Sequence, residues 1–149
     1  MTLIFRHRRE NLKKCSLRGL ESRPDLQFLT YPPKTFPDLS SHILLHFEGP
    51  ILSEEDRHAP LLLIDGTWKY SASMLKNIEQ KVILQKRSLP AHFRTAYPRR
   101  QPDCPFPDRG LASVEALYIA YLLTKKDPTG LLDHYHFKDL FLEKNHSFL

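Results

Sequence analysis

Leu61-Leu62-Leu63-Ile64-Asp65-Gly66-Thr67-Trp68 decides the fold: four consecutive aliphatics follow Pro60 and stop on an acid. A run without polar alternation reads as a strand buried on both faces, as inside a parallel sheet. Such sheets gather ligands at the carboxyl ends of their strands, and Asp65 falls there. Gly66 permits a tight turn, and Thr67 is placed to cap a helix over residues 69–78. A carboxylate followed by Trp68, the single tryptophan of the chain, points to a site for something charged and flat. Plainer readings exist: aspartate often ends a strand for turn reasons alone, and tryptophan is commonly core.

Outward from this strand, residues 2–5, 26–29, 43–47 and 82–84 read as further short strands. A loop at 31–37 contains Pro32 and Pro33, which give no donors to a sheet. After the central strand comes a helix carrying Met74, Leu75 and Ile78 on one face. Ser113 is placed to cap a second helix, with Glu115 in its first turn and Val114, Leu117, Tyr118, Tyr121 and Leu122 at helical spacing. A last helix, over 137–144, presents Phe137, Leu140 and Phe141 to the core. Strands alternating with helices make the chain α/β, and 149 residues suit one domain. Residues 86–109 hold five of the twelve prolines and form a long loop, of a length usually kept for function.

The formal net charge of +5 is unevenly spread. Arg6, Arg8, Arg9, Lys13, Lys14 and Arg18 crowd the N-terminal segment, and Lys86, Arg87, Arg94, Arg99, Arg100 and Arg109 crowd the segment before Gly110. Basic patches interleaved with Phe93, Tyr97 and Phe106 suit a phosphate-rich partner; a merely solvated basic surface is the alternative. No stretch approaches the ~20 apolar residues of a membrane span. The opening residues turn basic too soon for a signal peptide, so Cys15 and Cys104 are expected as reduced thiols of a cytoplasmic protein.

Several chemistries are excluded. A haloacid-dehalogenase-type phosphatase needs an aspartate two residues before Asp65, where Leu63 stands. His134-Tyr135-His136 has no carboxylate cluster to complete a metal site, and there is no Cys-x-x-Cys. The five glycines are scattered and form no phosphate loop.

In order, the segments resemble the superfamily uniting DTW-domain proteins with the ribosome-biogenesis aminocarboxypropyltransferases. Residues 63–69 look like the Asp-x-Thr-Trp motif. Residues 94–101, then Gly110-Leu111-Ala112-Ser113-Val114-Glu115-Ala116, are similar to the arginine-rich loop that leads into a Leu-Ser-x-x-Glu-Ala helix. Lys13-Lys14-Cys15-Ser16, Leu52-Ser53-Glu54-Glu55-Asp56 and residues 137–145 are similar to motifs of the ribosomal branch. The chain lacks the N-terminal cysteine cluster usual in DTW proteins.

The resemblance implies a SPOUT-like domain with a mostly parallel sheet and a knotted C-terminal part. It also implies S-adenosylmethionine as donor of its 3-amino-3-carboxypropyl group, and N3 of a uridine in RNA as acceptor. Asp65 is then expected as general base or as the charge that holds the sulfonium. Ser16, Leu45, Thr67, Trp68, Leu89, Leu111, Ala112 and Ser113 are expected to surround the donor. Arg8, Arg9, Lys13, Lys14, Arg94, Arg99 and Arg100 are expected on RNA, either tRNA, slightly favoured, or small-subunit rRNA. No metal and no membrane enter this reading. A SPOUT-type methyltransferase and a non-catalytic RNA-binding or ribosome-assembly module are the alternatives.

Overall fold

The computed structural model of the chain describes residues 1–13, 15–97 and 110–149, with Trp68 described by its backbone. Its centre is a five-stranded sheet with every pairing parallel. The strands are β1 (Thr2–His7), β2 (Leu26–Tyr31), β3 (Ile43–Leu45), β4 (Leu61–Asp65) and β5 (Gln85–Arg87), ordered β2-β1-β4-β3-β5. The aliphatic run is β4, the middle strand. Its side chains divide between two cores, as a doubly covered strand requires. Leu61 and Leu63 join Ile4 on one face, whereas Leu62 joins Leu3, Phe5 and Leu44 on the other.

Helix α1 (Trp68–Glu79) covers the second face through Met74 and Ile78, both fully buried. Helices α2 (Ser113–Leu123) and α3 (Lys138–Asn145) cover the first through Val114, Leu117, Tyr121 and Phe141. Leu140, expected inward, is 43 % exposed, because α3 is short and turns only Phe141 and Asn145 fully into the protein.

The last strand departs from the sequence reading. Residues 82–84 do not pair; Ile83 is 94 % exposed, while Val82 and Leu84 tuck against the α1-side core. Pairing begins at Gln85, and among the described residues β5 bonds only to β3. An edge strand with one neighbour needs no aliphatic run. Here ion pairs fix it: Lys86 reaches Glu79 and Glu48, and Arg87 reaches Asp56 at 3.4 Å. Strand β3 stops at Leu45 rather than at 47, although His46 still donates its N–H to the Arg87 carbonyl.

Candidate active site

Asp65 ends β4 opposite Arg6 of β1 in the parallel ladder, and it is only 4 % exposed. Three side chains from distant parts of the sequence donate to it. Ser113 Oγ reaches Oδ1 at 2.8 Å, the Cys15 thiol reaches Oδ2 at 3.1 Å, and Arg6 Nε reaches Oδ2 at 3.5 Å. A buried carboxylate needs such compensation. Arg6 is shared further: it donates to Glu21 Oε1 at 3.2 Å and to Cys15 Sγ at 3.4 Å, and its guanidinium lies over the Phe28 ring.

The thiol is a donor and not a nucleophile. Burial, then Asp65 beside it, push the Cys15 pKa up to about 12. Cys15 is free and buried, as expected for a reduced cysteine; Cys104 lies outside the described residues.

Ser16 accepts the backbone N–H of Val114 at 3.1 Å. It therefore satisfies one of the open donors at the start of α2, and the basic N-terminal segment is bolted to that helix. Ser113, expected as the cap, is instead the first residue of α2, with Ala112 at the N-cap position. Alanine has no acceptor, so the cap runs the other way: Glu115 Oε1 takes the Ala112 N–H at 2.8 Å. This leaves the Ser113 hydroxyl free to face Asp65, and Ser113 is the partly exposed member of the pair. Thr67 holds the N-cap position of α1, exposed and without a side-chain cap bond; it does not cap the helix as expected.

Leu45, Leu89 and Leu111 are half-buried and pack on the α2-side core, and Ala112 is buried. Leu45 ends β3 and Leu89 follows β5, so they sit at the carboxyl side of the sheet, as does Asp65. Arg8, Arg9, Lys13 and Arg94 are exposed. Arg94 folds its guanidinium onto the Ala91 carbonyl at 2.6 Å. Lys14, Arg99, Arg100 and the Trp68 side chain lie outside the described residues.

No family model and no curated protein matches this chain. The fold has a solved counterpart. It is similar to the structure of the SAM-dependent rRNA:acp-transferase Tsr3 from Vulcanisaeta distributa, with a TM-score of 0.71 and 23 % identity. The match covers 99 % of this chain and 79 % of that one. What is shared with Tsr3 at this identity is the α/β architecture with its five-stranded parallel sheet.

Two buried residues that were not among the expected site residues stand behind this site. Glu115, fully buried, accepts four hydrogen bonds: Thr95 Oγ1 (2.6 Å), Ala96 N (2.8 Å), Ala112 N (2.8 Å) and Tyr135 OH (2.9 Å). Asn145, also fully buried, pairs with the Arg94 backbone in both directions, accepting from N at 2.8 Å and donating to O at 2.9 Å. Together they fix residues 94–96, the stem of the arginine-rich loop. The Ser-x-Glu spacing was the available signal for Glu115; Asn145 closes the 137–145 segment of the resemblance, which gave it no role of its own.

Proposed function

We propose that this chain is a single-domain, S-adenosylmethionine-dependent RNA aminocarboxypropyltransferase that modifies N3 of a uridine. The observation that carries the reading is the convergence on Asp65. Segments around Cys15-Ser16, Asp65 and Ser113-Glu115, each quoted above for the family resemblance, meet through hydrogen bonds of 2.8–3.1 Å. The Tsr3-like fold supports it, and because that neighbour acts on rRNA, we place rRNA ahead of tRNA; the lean toward tRNA finds no support in it. A cytoplasmic location belongs to the same proposal, and no helix among the described residues is long and apolar enough to cross a membrane. So does the knotted C-terminal part, a rare topology that only the resemblance implies.

The residues present suit the donor. Leu45, Leu89 and Leu111 offer half-open apolar surface for an adenosine, and the anionic end of β4 suits a positive sulfonium beside it. Bound there, S-adenosylmethionine supplies a carbon activated by the sulfonium, and the pocket's geometry selects which of its three substituents meets the acceptor. Proximity of that kind lowers barriers by up to roughly 7–11 kcal/mol in ideal cases.

In the transfer, uridine N3 loses its proton, an N3–carbon bond forms and the carbon–sulfur bond breaks. Both Asp65 oxygens are already engaged, so its charge reaches the reacting centre through the partly exposed Ser113 hydroxyl. We assign Asp65 to proton acceptance by way of Ser113 and to fixing the sulfonium, and Arg6 to holding Asp65 in place. Trp68 and Thr67 remain with the donor, and Arg8, Arg9, Lys13, Lys14, Arg94, Arg99 and Arg100 with RNA. Asp65→Asn tests the core of this: transfer should fall by ~10²–10⁴-fold with RNA affinity nearly intact, and unchanged turnover removes Asp65 from the mechanism.

A further inference from the structure

His7 and Tyr70 form a parallel ring stack that the reaction scheme leaves unused. Their centroids are 4.0 Å apart and their planes differ by 1°. Both side chains remain partly exposed, unlike the fully buried aromatics Phe5 and Phe141. The pair stands beside the proposed site. His7 is the last residue of β1, next after Arg6, the ladder partner of Asp65. A Cβ placed on Gly66, the residue after Asp65, would lie 3.4 Å from the Cβ atoms of both His7 and Tyr70, so the stack leans on the turn that leaves β4.

Its surroundings are cationic and anchored. The Arg8 N–H bonds to the Tyr31 carbonyl and the Arg9 N–H to His7 Nδ1 at 3.1 Å. Both arginines are exposed, and among the described residues neither guanidinium forms an ion pair. The same bond occupies one ring nitrogen of His7, and burial, then Arg8 and Arg9, hold its pKa below the ordinary histidine range. With Nδ1 accepting that N–H, the imidazole in this arrangement is the neutral ring. A neutral stacked pair of rings flanked by exposed guanidinium groups suits single-stranded RNA: bases stack on the rings and phosphates meet the cations.

We infer that the His7–Tyr70 stack is a platform for an unpaired nucleobase of the RNA substrate, with Arg8 and Arg9 on its flanking phosphates. The inference rests on the RNA-modifying reading and adds to it the place where the strand lies and its single-stranded state. By position, this base neighbours the acceptor uridine.

The test uses the full chain with a small-subunit rRNA fragment, reading RNA binding by fluorescence anisotropy and donor binding by calorimetry. Tyr70→Ala and His7→Ala should each weaken RNA binding roughly five- to a hundredfold and leave S-adenosylmethionine affinity unchanged. Tyr70→Phe, which keeps the ring, should restore most of what Tyr70→Ala loses. A 5-iodouridine-substituted fragment should photocrosslink to His7 or Tyr70, as mapped by mass spectrometry of the wild-type protein. Overturning results are RNA affinity unchanged in both alanine variants, loss of donor affinity in place of RNA affinity, or crosslinks only to residues elsewhere. A wild-type protein that binds RNA but no donor refutes the transferase reading alone; the crosslink and the alanine variants still decide the platform.

Discussion

Replacing Glu115 with glutamine changes one atom of a side chain that touches four donors, and the outcome follows from counting them. Each carboxylate oxygen serves one backbone N–H and one hydroxyl: Oε1 takes Ala112 N and Thr95 Oγ1, and Oε2 takes Ala96 N and Tyr135 OH. Whichever way the amide is turned, its NH2 group faces one hydroxyl and one main-chain N–H. The hydroxyl can reverse and accept; the N–H cannot. One charge-assisted bond is thus lost outright at a fully buried site, and the others weaken from charged to neutral. With ~1.5–3 kcal/mol for a bond to a charged group, the cost is ~2–4 kcal/mol. For a chain of this size that lowers the Tm by roughly 5–15 °C. Urea and thermal unfolding followed by circular dichroism measure it, and a loss below about 1 kcal/mol refutes the four-donor argument.

Other expectations concern different parts of the molecule. Gly19 has φ +94°, and a Cβ there would lie 2.5 Å from His134 Cγ; Gly19→Ala should cost about 2 kcal/mol or more in urea unfolding, and a cost near zero contradicts the close approach. His46 sits with burial, then Lys86, holding its pKa below the usual range, and its Nδ1 accepts the Glu48 N–H at 3.0 Å. A lowered pKa stabilises the fold above the unfolded value of about 6.5, and that stability is lost as pH falls toward the folded value. His46→Asn keeps an acceptor and removes the titration, so its unfolding midpoint should fall less steeply than wild type between about pH 7 and 5; parallel curves contradict this. Ser113→Ala should slow transfer at saturating donor and RNA with little change in either affinity, read by separating kcat from KM, and a pure KM effect excludes the Ser113 route to Asp65.

The sheet was legible because β4 and β1 are apolar on both faces, and continuous burial leaves a signature in the order of residues. Strand β5 was not, since an edge strand is fixed by one neighbour's backbone and by ion pairs of Lys86 and Arg87, which any exposed segment also displays. Asp65 was legible from its place after an aliphatic run. Arg6 and Cys15, its closest companions besides Ser113, looked like members of a basic surface segment and a lone thiol. The pairing of β1 with β4 turns Arg6 inward, and the loop after β1, tied to α2 through Ser16, brings Cys15 to the same carboxylate. Thr67 and Ser113 show the limit of reading caps from residue type: backbone geometry gave the capping of α2 to Ser16 and Glu115, from 98 residues away and from within the first turn.

The most direct measurement is label transfer. The purified chain is incubated with small-subunit rRNA and either carboxyl-labelled or methyl-labelled S-adenosylmethionine, and the RNA is digested to nucleosides for mass spectrometry. Label should enter one uridine derivative from the carboxyl-labelled donor and none from the methyl-labelled one, and Asp65→Asn should remove it. Label arriving from the methyl group, or from neither donor, contradicts aminocarboxypropyl transfer.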